Sequence, residues 1–101
     1  MSAQDTICQA IGERLLLQFY YDGGTRVVEP HQLAYNENNN LALSAYWIRG
    51  YSESSDVSTR WREYLVAEMS AVAVLSEHFE GPRRGYKRTP NAKYHSAVCE
   101  L

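Results

Sequence analysis

No stretch of the sequence approaches the roughly 18 consecutive apolar residues that a membrane-spanning helix requires, and no basic-then-apolar leader opens it. A cytoplasmic location without a membrane partner is therefore expected. Cysteine is scarce, with only Cys8 and Cys99 near opposite ends. A bridge between them would enclose most of the chain, but without an export signal nothing argues for an oxidising compartment, so free buried thiols are expected. Metal-ligand spacing is missing too: His31, His78 and His95 fit no known pattern with one another or with the cysteines. No metal or other cofactor is expected. Neither a glycine-rich phosphate loop before a helix nor a Gly-x-Ser-x-Gly nucleophile motif occurs. His95 and Cys99, four apart in a strand, would stand about 13 Å from each other, too far for a hydrogen-bonded pair. These absences argue against an enzyme and for a binding or sensing module.

What is present suits one globular domain. A chain of 101 residues with 45% hydrophobic and 22% charged side chains can bury a single modest core. The net charge of −2 conceals an uneven distribution. Residues 1–80 carry five basic and eleven acidic side chains, whereas Arg83, Arg84, Lys87, Arg88 and Lys93 face only Glu100 beyond them. Such a basic segment on an acidic body either folds back to neutralise it or is offered to an anion.

Read along the chain, Thr6 and Gln9 have capping-box spacing, and Ile7, Ala10, Ile11 and Leu15 recur at helical intervals, predicting a short amphipathic helix over 6–14. Leu16–Tyr21 favours a strand, Asp22-Gly23-Gly24 a tight hairpin, and Arg26–Glu29 its partner, which Pro30 should end or place at an edge. Asn36–Asn40 reads as a turn. Leu41–Ile48 reads as a strand covered on both faces, Gly50–Thr59 as an exposed polar loop, and Arg60–Val66, Ala71–Leu75 and Tyr94–Leu101 as further strands. The expectation is a mainly β fold, a small barrel of five or six short strands over about 15–80 behind the helix, with a basic loop and last strand over 81–101.

Three groups of residues are candidates for binding. Arg60 and Arg62 share a strand face that Tyr64 continues, with Trp61 beside them; guanidinium groups grip phosphates and an aromatic stacks on a base. The competing reading pairs these arginines with Glu53, Asp56 or Glu63 on a solvated face. Tyr21, Arg26 and His31 lie on successive strands and would converge at a barrel mouth; alternatively Tyr21 is packing and Arg26 pairs with Glu29. Arg83, Arg84, Tyr86, Lys87 and Arg88 interleave cations with an aromatic ring, a pattern that tracks phosphates. Gly81-Pro82 and Gly85 equally suit an ordered loop over the barrel, with Glu77 and Glu80 as its acidic partners.

Several fragments, in this order, resemble the WYL-domain family: LLLQFYYDGGTRVVEPHQL, AYWIRGYS, TRWREYLVAEMSAVAVL and HFEGPRRGYKR. Tyr21 followed by Arg26 and Val28-Glu29-Pro30 is similar to the family's tyrosine, arginine and acid–proline pattern. Trp61-Arg62-Glu63-Tyr64 falls where its aromatic and basic strand belongs. Leu41-Ala42-Leu43 stands in place of the eponymous Trp-Tyr-Leu, and Leu65 and Glu68 stand where arginines are usual. The resemblance implies an Sm-like barrel acting as a ligand-sensing or regulatory module in bacteria or their phages, with a nucleotide or single-stranded nucleic acid as ligand. Longer members of that family carry a winged-helix DNA-binding domain before this one; no helix-turn-helix is read in these 101 residues. On that reading Tyr21, Arg26, Trp61 and Arg62 contact the anion and Arg83–Arg88 form a second basic wall. The alternative is an adaptor that docks a protein partner or a second copy without a small ligand.

Overall fold

A computed structural model describes residues 2–52 and 59–101. It begins with helix α1 (Ala3–Glu13), two turns of which carry Ile7, Ala10 and Ile11 on one buried face. The helix starts four residues before the expected cap: Ser2, not Thr6, accepts the Asp5 N–H, while the Thr6 hydroxyl donates back to the Ser2 carbonyl. Arg14 closes it in the left-handed region, φ 55°. Six strands follow: β1 (Leu15–Tyr21), β2 (Gly24–Asn36), β3 (Leu41–Gly50), β4 (Trp61–Leu65), β5 (Ser70–His78) and β6 (Tyr94–Glu100). One 3-10 turn, Val66–Glu68, joins β4 to β5. The fold is mainly β with one N-terminal helix, as expected. The polar loop expected over Gly50–Thr59, including Glu53 and Asp56, falls largely outside the described residues.

All pairings are antiparallel, in the order β4-β3-β2-β1-β5, with β6 also on β2. Asp22 and Gly23 link β1 to β2 with φ of 39° and 93°, the two consecutive positive values of a tight hairpin turn that glycine supplies at no steric cost. The thirteen-residue β2 organises the sheet. Its first half pairs with β1 up to Val28, its second half pairs with β6 from Gln32 onward, and β3 runs along its other edge. Pro30 neither ends the ladder nor marks an edge strand. It lies buried in the interval where β2 has left β1 and not yet met β6, so its missing N–H deprives neither strand of a bond. The β2–β3 register slips between Pro30 and Gln32, and this bulge turns two consecutive side chains, His31 and Gln32, to the same side.

The sheet is strongly curved but not hydrogen-bonded shut. Its concave face holds Leu17, Phe19, Val28, Leu33, Leu43, Ala45 and Tyr64 against the α1 face. The convex face is not left to water. Leu16 and Val27 lie under Phe79, and Ala34 and Ala42 under Tyr94, so the segment 79–93 is a strap over the back of the sheet. This is why β2 is buried on both sides.

The cysteines overturn the expectation of free thiols. α1 lies across the end of the sheet where β6 finishes, bringing the Cα atoms of Cys8 and Cys99 to 5.8 Å, within bonding reach, and the two form a disulfide. The link spans 91 residues. Reduction should therefore lower stability by about 4 kcal/mol through restored chain entropy, measurable as a lowered urea midpoint in dithiothreitol and matched by a Cys8→Ser/Cys99→Ser variant.

Candidate functional site

Strand parity decides where the predicted residues go. Tyr21 follows Leu17 and Phe19 on the concave side of β1, and Arg26 and Val28 face the same side from β2. Val27, Glu29 and His31 alternate with them and face the strap. On β4, Arg62 and Tyr64 face inward whereas Trp61 and Glu63 face outward. Tyr21, Arg26 and Arg62 therefore meet at one end of the concave side, and His31, Trp61, Arg83 and Tyr86 meet on the convex side. The single convergent mouth expected from the sequence is two separate sites.

At the concave site a cleft of about 410 Å3 is lined by Tyr21, Asp22, Arg26, Arg62, Glu63, Tyr64 and Glu68. Arg26 is only 5% exposed. Its Nη2 donates to the carbonyls of Tyr21 and Asp22 at 2.9 and 3.2 Å, and its guanidinium lies 5.2, 5.2 and 5.6 Å from the rings of Tyr21, Tyr51 and Tyr64. Each such cation–ring contact contributes about 0.5–2 kcal/mol. Gly24 makes this cage possible, because a Cβ there would stand 2.3 Å from the Tyr51 Cβ. The Arg26–Glu29 ion pair considered above does not form, since three positions along a strand put the two on opposite faces. Arg62 Nη1 donates to the carbonyls of Thr59 and Trp61 at 2.6 and 3.0 Å. Its Nη2 and the Tyr64 hydroxyl are buried without a well-formed hydrogen bond among the described residues, each a burden of roughly 1–3 kcal/mol. Burial raises the Tyr64 pKa, although the adjacent Arg26 guanidinium draws it back. The Tyr21 hydroxyl accepts the Leu65 N–H at 3.1 Å, and burial, reinforced by Glu68, holds its pKa up. Arg60 stands apart from both sites: it reaches the carbonyls of Trp47 and Ile48 and covers the Trp47 ring.

The convex site is organised by the strap. Glu29, 5% exposed on β2, binds Arg83 with both oxygens, Nε to Oε1 at 2.7 Å and Nη2 to Oε2 at 2.9 Å. The Arg83 guanidinium also lies 4.4 Å from the centre of the Tyr46 ring. Fully buried His31 donates from Nδ1 to the Glu29 carbonyl at 2.9 Å and accepts the Arg83 N–H at Nε2, 3.0 Å. Those two roles require the neutral imidazole. Desolvation agrees, lowering its pKa. Rings surround it: Trp61 edge-on at 4.8 Å, Tyr86 tilted at 5.3 Å and Phe79 stacked at 5.6 Å. Further on, Gln32 donates to the Lys87 carbonyl, and Glu100 accepts from Gln32 and Thr89 and pairs with Arg88 at 3.2 Å. Burial works against ionisation of Glu100, but the Thr89 and Gln32 hydrogen bonds outweigh it and hold its pKa below the usual carboxylate range. The Tyr86 phenol is pushed up to about 12 by burial and by Glu100.

The basic segment thus divides its cations. Arg83 and Arg88 fold back onto Glu29 and Glu100, not onto the expected Glu77 and Glu80; Glu77 pairs instead with Arg49. Arg84, Lys87 and Lys93 are exposed and make no ion pair among the described residues. Between the strap and β3–β4 opens a cavity of about 240 Å3, lined by Gln32, Ser44, Trp61, Gly85, Tyr86, Lys87, Asn91, Ala92, Lys93 and Tyr94. Trp61 and Tyr86 present nearly parallel rings, 17° apart in plane with centres 6.4 Å apart, and Trp61 Nε1 donates to the Arg84 carbonyl at 3.2 Å. Asn91 holds Gln32 and the Lys87 carbonyl, so both amides are fixed in orientation. Two lysines, two amides, the Ser44 hydroxyl and three aromatic side chains, two of them phenols, line it, and no carboxylate does. A wider hollow of about 600 Å3 on the other flank of the strap lies against Glu29, Glu80 and the already paired Arg83, and so offers an anion little.

Of the residues singled out from the sequence, this cavity brings together Trp61, Tyr86 and Lys87; Gln32, Asn91, Lys93 and Tyr94, which also line it, were not among them. Only the strap's path across the back of β2, β3 and β4 gathers them, and the single sequence signal was the lack of acids between Gly81 and Cys99. Among the described residues no cluster of histidine, cysteine or carboxylate side chains could hold a metal, and no helix is long and apolar enough to cross a membrane. No protein-family model, curated protein or solved structure matches the chain.

His31 gives a pH test. Its folded-state pKa lies below the ordinary 6.5, so the unfolded chain takes up the proton first; the stability it contributes is complete above 6.5 and is lost as pH falls through the folded value. Thermal unfolding followed from pH 8 to pH 5 should show the melting temperature declining below about 6.5, and a His31→Gln variant should flatten that decline.

Proposed function

We propose that this protein is a WYL-like sensing or regulatory module that holds an anionic, ring-bearing ligand, a nucleotide or a stretch of single-stranded nucleic acid, in the cavity between β3–β4 and the strap. One observation carries the reading: on a body whose first eighty residues are strongly acidic, this cavity has lysines and aromatic rings in its lining and no carboxylate. A ring ligand would lie against Trp61 or Tyr86, its phosphate would meet Lys87 and Lys93, and the fixed amides of Gln32 and Asn91 would address its polar edge. Exposed Arg84 extends the positive surface. The curved sheet, with its outer strands β4 and β5 consecutive and joined by a single turn, supports an open variant of the Sm-like barrel that the resemblance implies.

Titrating a nucleoside triphosphate and, separately, a short single-stranded oligonucleotide at low salt should quench tryptophan fluorescence, with affinity falling as salt rises. Tyr86→Ala should weaken binding by about ten- to a hundredfold, given roughly 1–3 kcal/mol per stacked ring, and Lys93→Glu should also weaken it. Silence from both probes at low salt would end this reading.

The alternative, an interaction module, has its own supporting observation. Among the described residues β5 has one sheet neighbour, β1, and Ser70–His78 carries no lysine, arginine or proline to discourage a further strand. A dimer in solution that persists in Lys93→Glu and is broken by proline at Ala73 would favour it.

A further inference from the structure

The concave cleft is independent of the cavity under the strap, and its chemistry is different. We infer that it is a second ligand site, for a small zwitterion of the amino-acid type. Two polar atoms of side chains that line the cleft, Arg62 Nη2 and the Tyr64 hydroxyl, are buried just beneath its surface groups without a well-formed hydrogen bond among the described residues, so a ligand reaches them only as those side chains turn outward. Both can donate, and an ionised carboxylate accepts from two donors at once. A carboxylate alone is a poor fit for the rest of the lining, because Asp22 and Glu68 add negative charge there; the Glu63 carboxylate is turned to the convex side, where it accepts from the Tyr94 hydroxyl at 2.6 Å. A polyanion such as a nucleotide fits worse. A bare cation would meet those acids but leave the two buried donors unanswered and face two guanidinium groups. A molecule with one carboxylate and one ammonium satisfies both ends: the carboxylate is directed to Arg62 and Tyr64, and the ammonium to Glu68 and Asp22. The rings of Tyr21 and Tyr64 supply apolar wall for the intervening carbon atoms, and Arg26, clamped by carbonyls and three rings, holds those tyrosines in place.

Tyr64 makes the test clean. Tyr64→Phe keeps the ring and its packing and removes only the hydroxyl beside the Arg26 guanidinium, so it should fold with only a modest loss of stability. Thermal shift measured with each of the twenty standard L-amino acids at millimolar concentration should identify at least one that raises the melting temperature. The methyl ester of that amino acid, which lacks the carboxylate, and its N-acetyl form, which lacks the ammonium, should not. Tyr64→Phe should weaken its binding by about tenfold and Arg62→Leu should abolish it, while Lys93→Glu in the other cavity should leave it unchanged. The inference is overturned if no amino acid shifts the melting temperature, if the ester binds as well as the parent, or if Tyr64→Phe binds with undiminished affinity.

Discussion

The arrangement depends on a carboxylate that the fold covers almost completely. Glu29 projects from the convex face of β2 and would be costly there as an unpaired charge, by several kcal/mol. Arg83 answers it with a two-pronged contact, and doing so draws the chain after β5 across the back of the sheet. Once it is there, the Arg83 N–H finds His31, Phe79 covers Leu16 and Val27, and the following residues descend past Gln32 to Glu100. A surface that would otherwise be the wet side of a one-layered sheet becomes a second, smaller interior. The cavity beside Trp61 and Tyr86 exists only because the strap arches over β3 and β4 between these anchors.

β2 makes the exchange of partners possible. An ordinary strand has two neighbours, whereas this one has three, taking β1 and β6 in succession on the same edge. The interval between them is where a proline costs least, and Pro30 occupies it. The adjacent register slip breaks strict alternation and lets His31 and Gln32 both grip the strap. A perfectly regular strand would have turned one of them into the concave core, where a histidine or glutamine among Leu33, Phe19 and Tyr64 would have found no partner.

Much of this was readable from residue order. The hairpin at Asp22-Gly23, the turn at Asn36–Asn40, the two-sided burial of β3 and the succession of strands all follow from local chemistry. The division of the binding residues was readable as well, though only by strict counting: Arg26 and His31 are an odd number of positions apart, and so are Trp61 and Arg62. Treating them as one mouth ignored that parity. Other features depend on the closed tertiary path and leave no local trace. Thr6 and Gln9 satisfy the capping-box spacing as well as Ser2 and Asp5 satisfy the true cap. Pro30 marks an edge in an average strand, and nothing near it announces that β2 changes neighbours there. Glu29 and Arg83 are 54 residues apart, and Gln32 and Asn91 are 59 apart, so their meeting can only be seen once the strap is in place.

The bond between Cys8 and Cys99 turns the intervening chain into a covalent ring. Tension applied from outside residues 8 and 99 would pass through the two sulfur atoms and never reach the strands, so the sheet is mechanically shielded from its own flanks. A protease that nicks the strap once would likewise leave two fragments still fastened together.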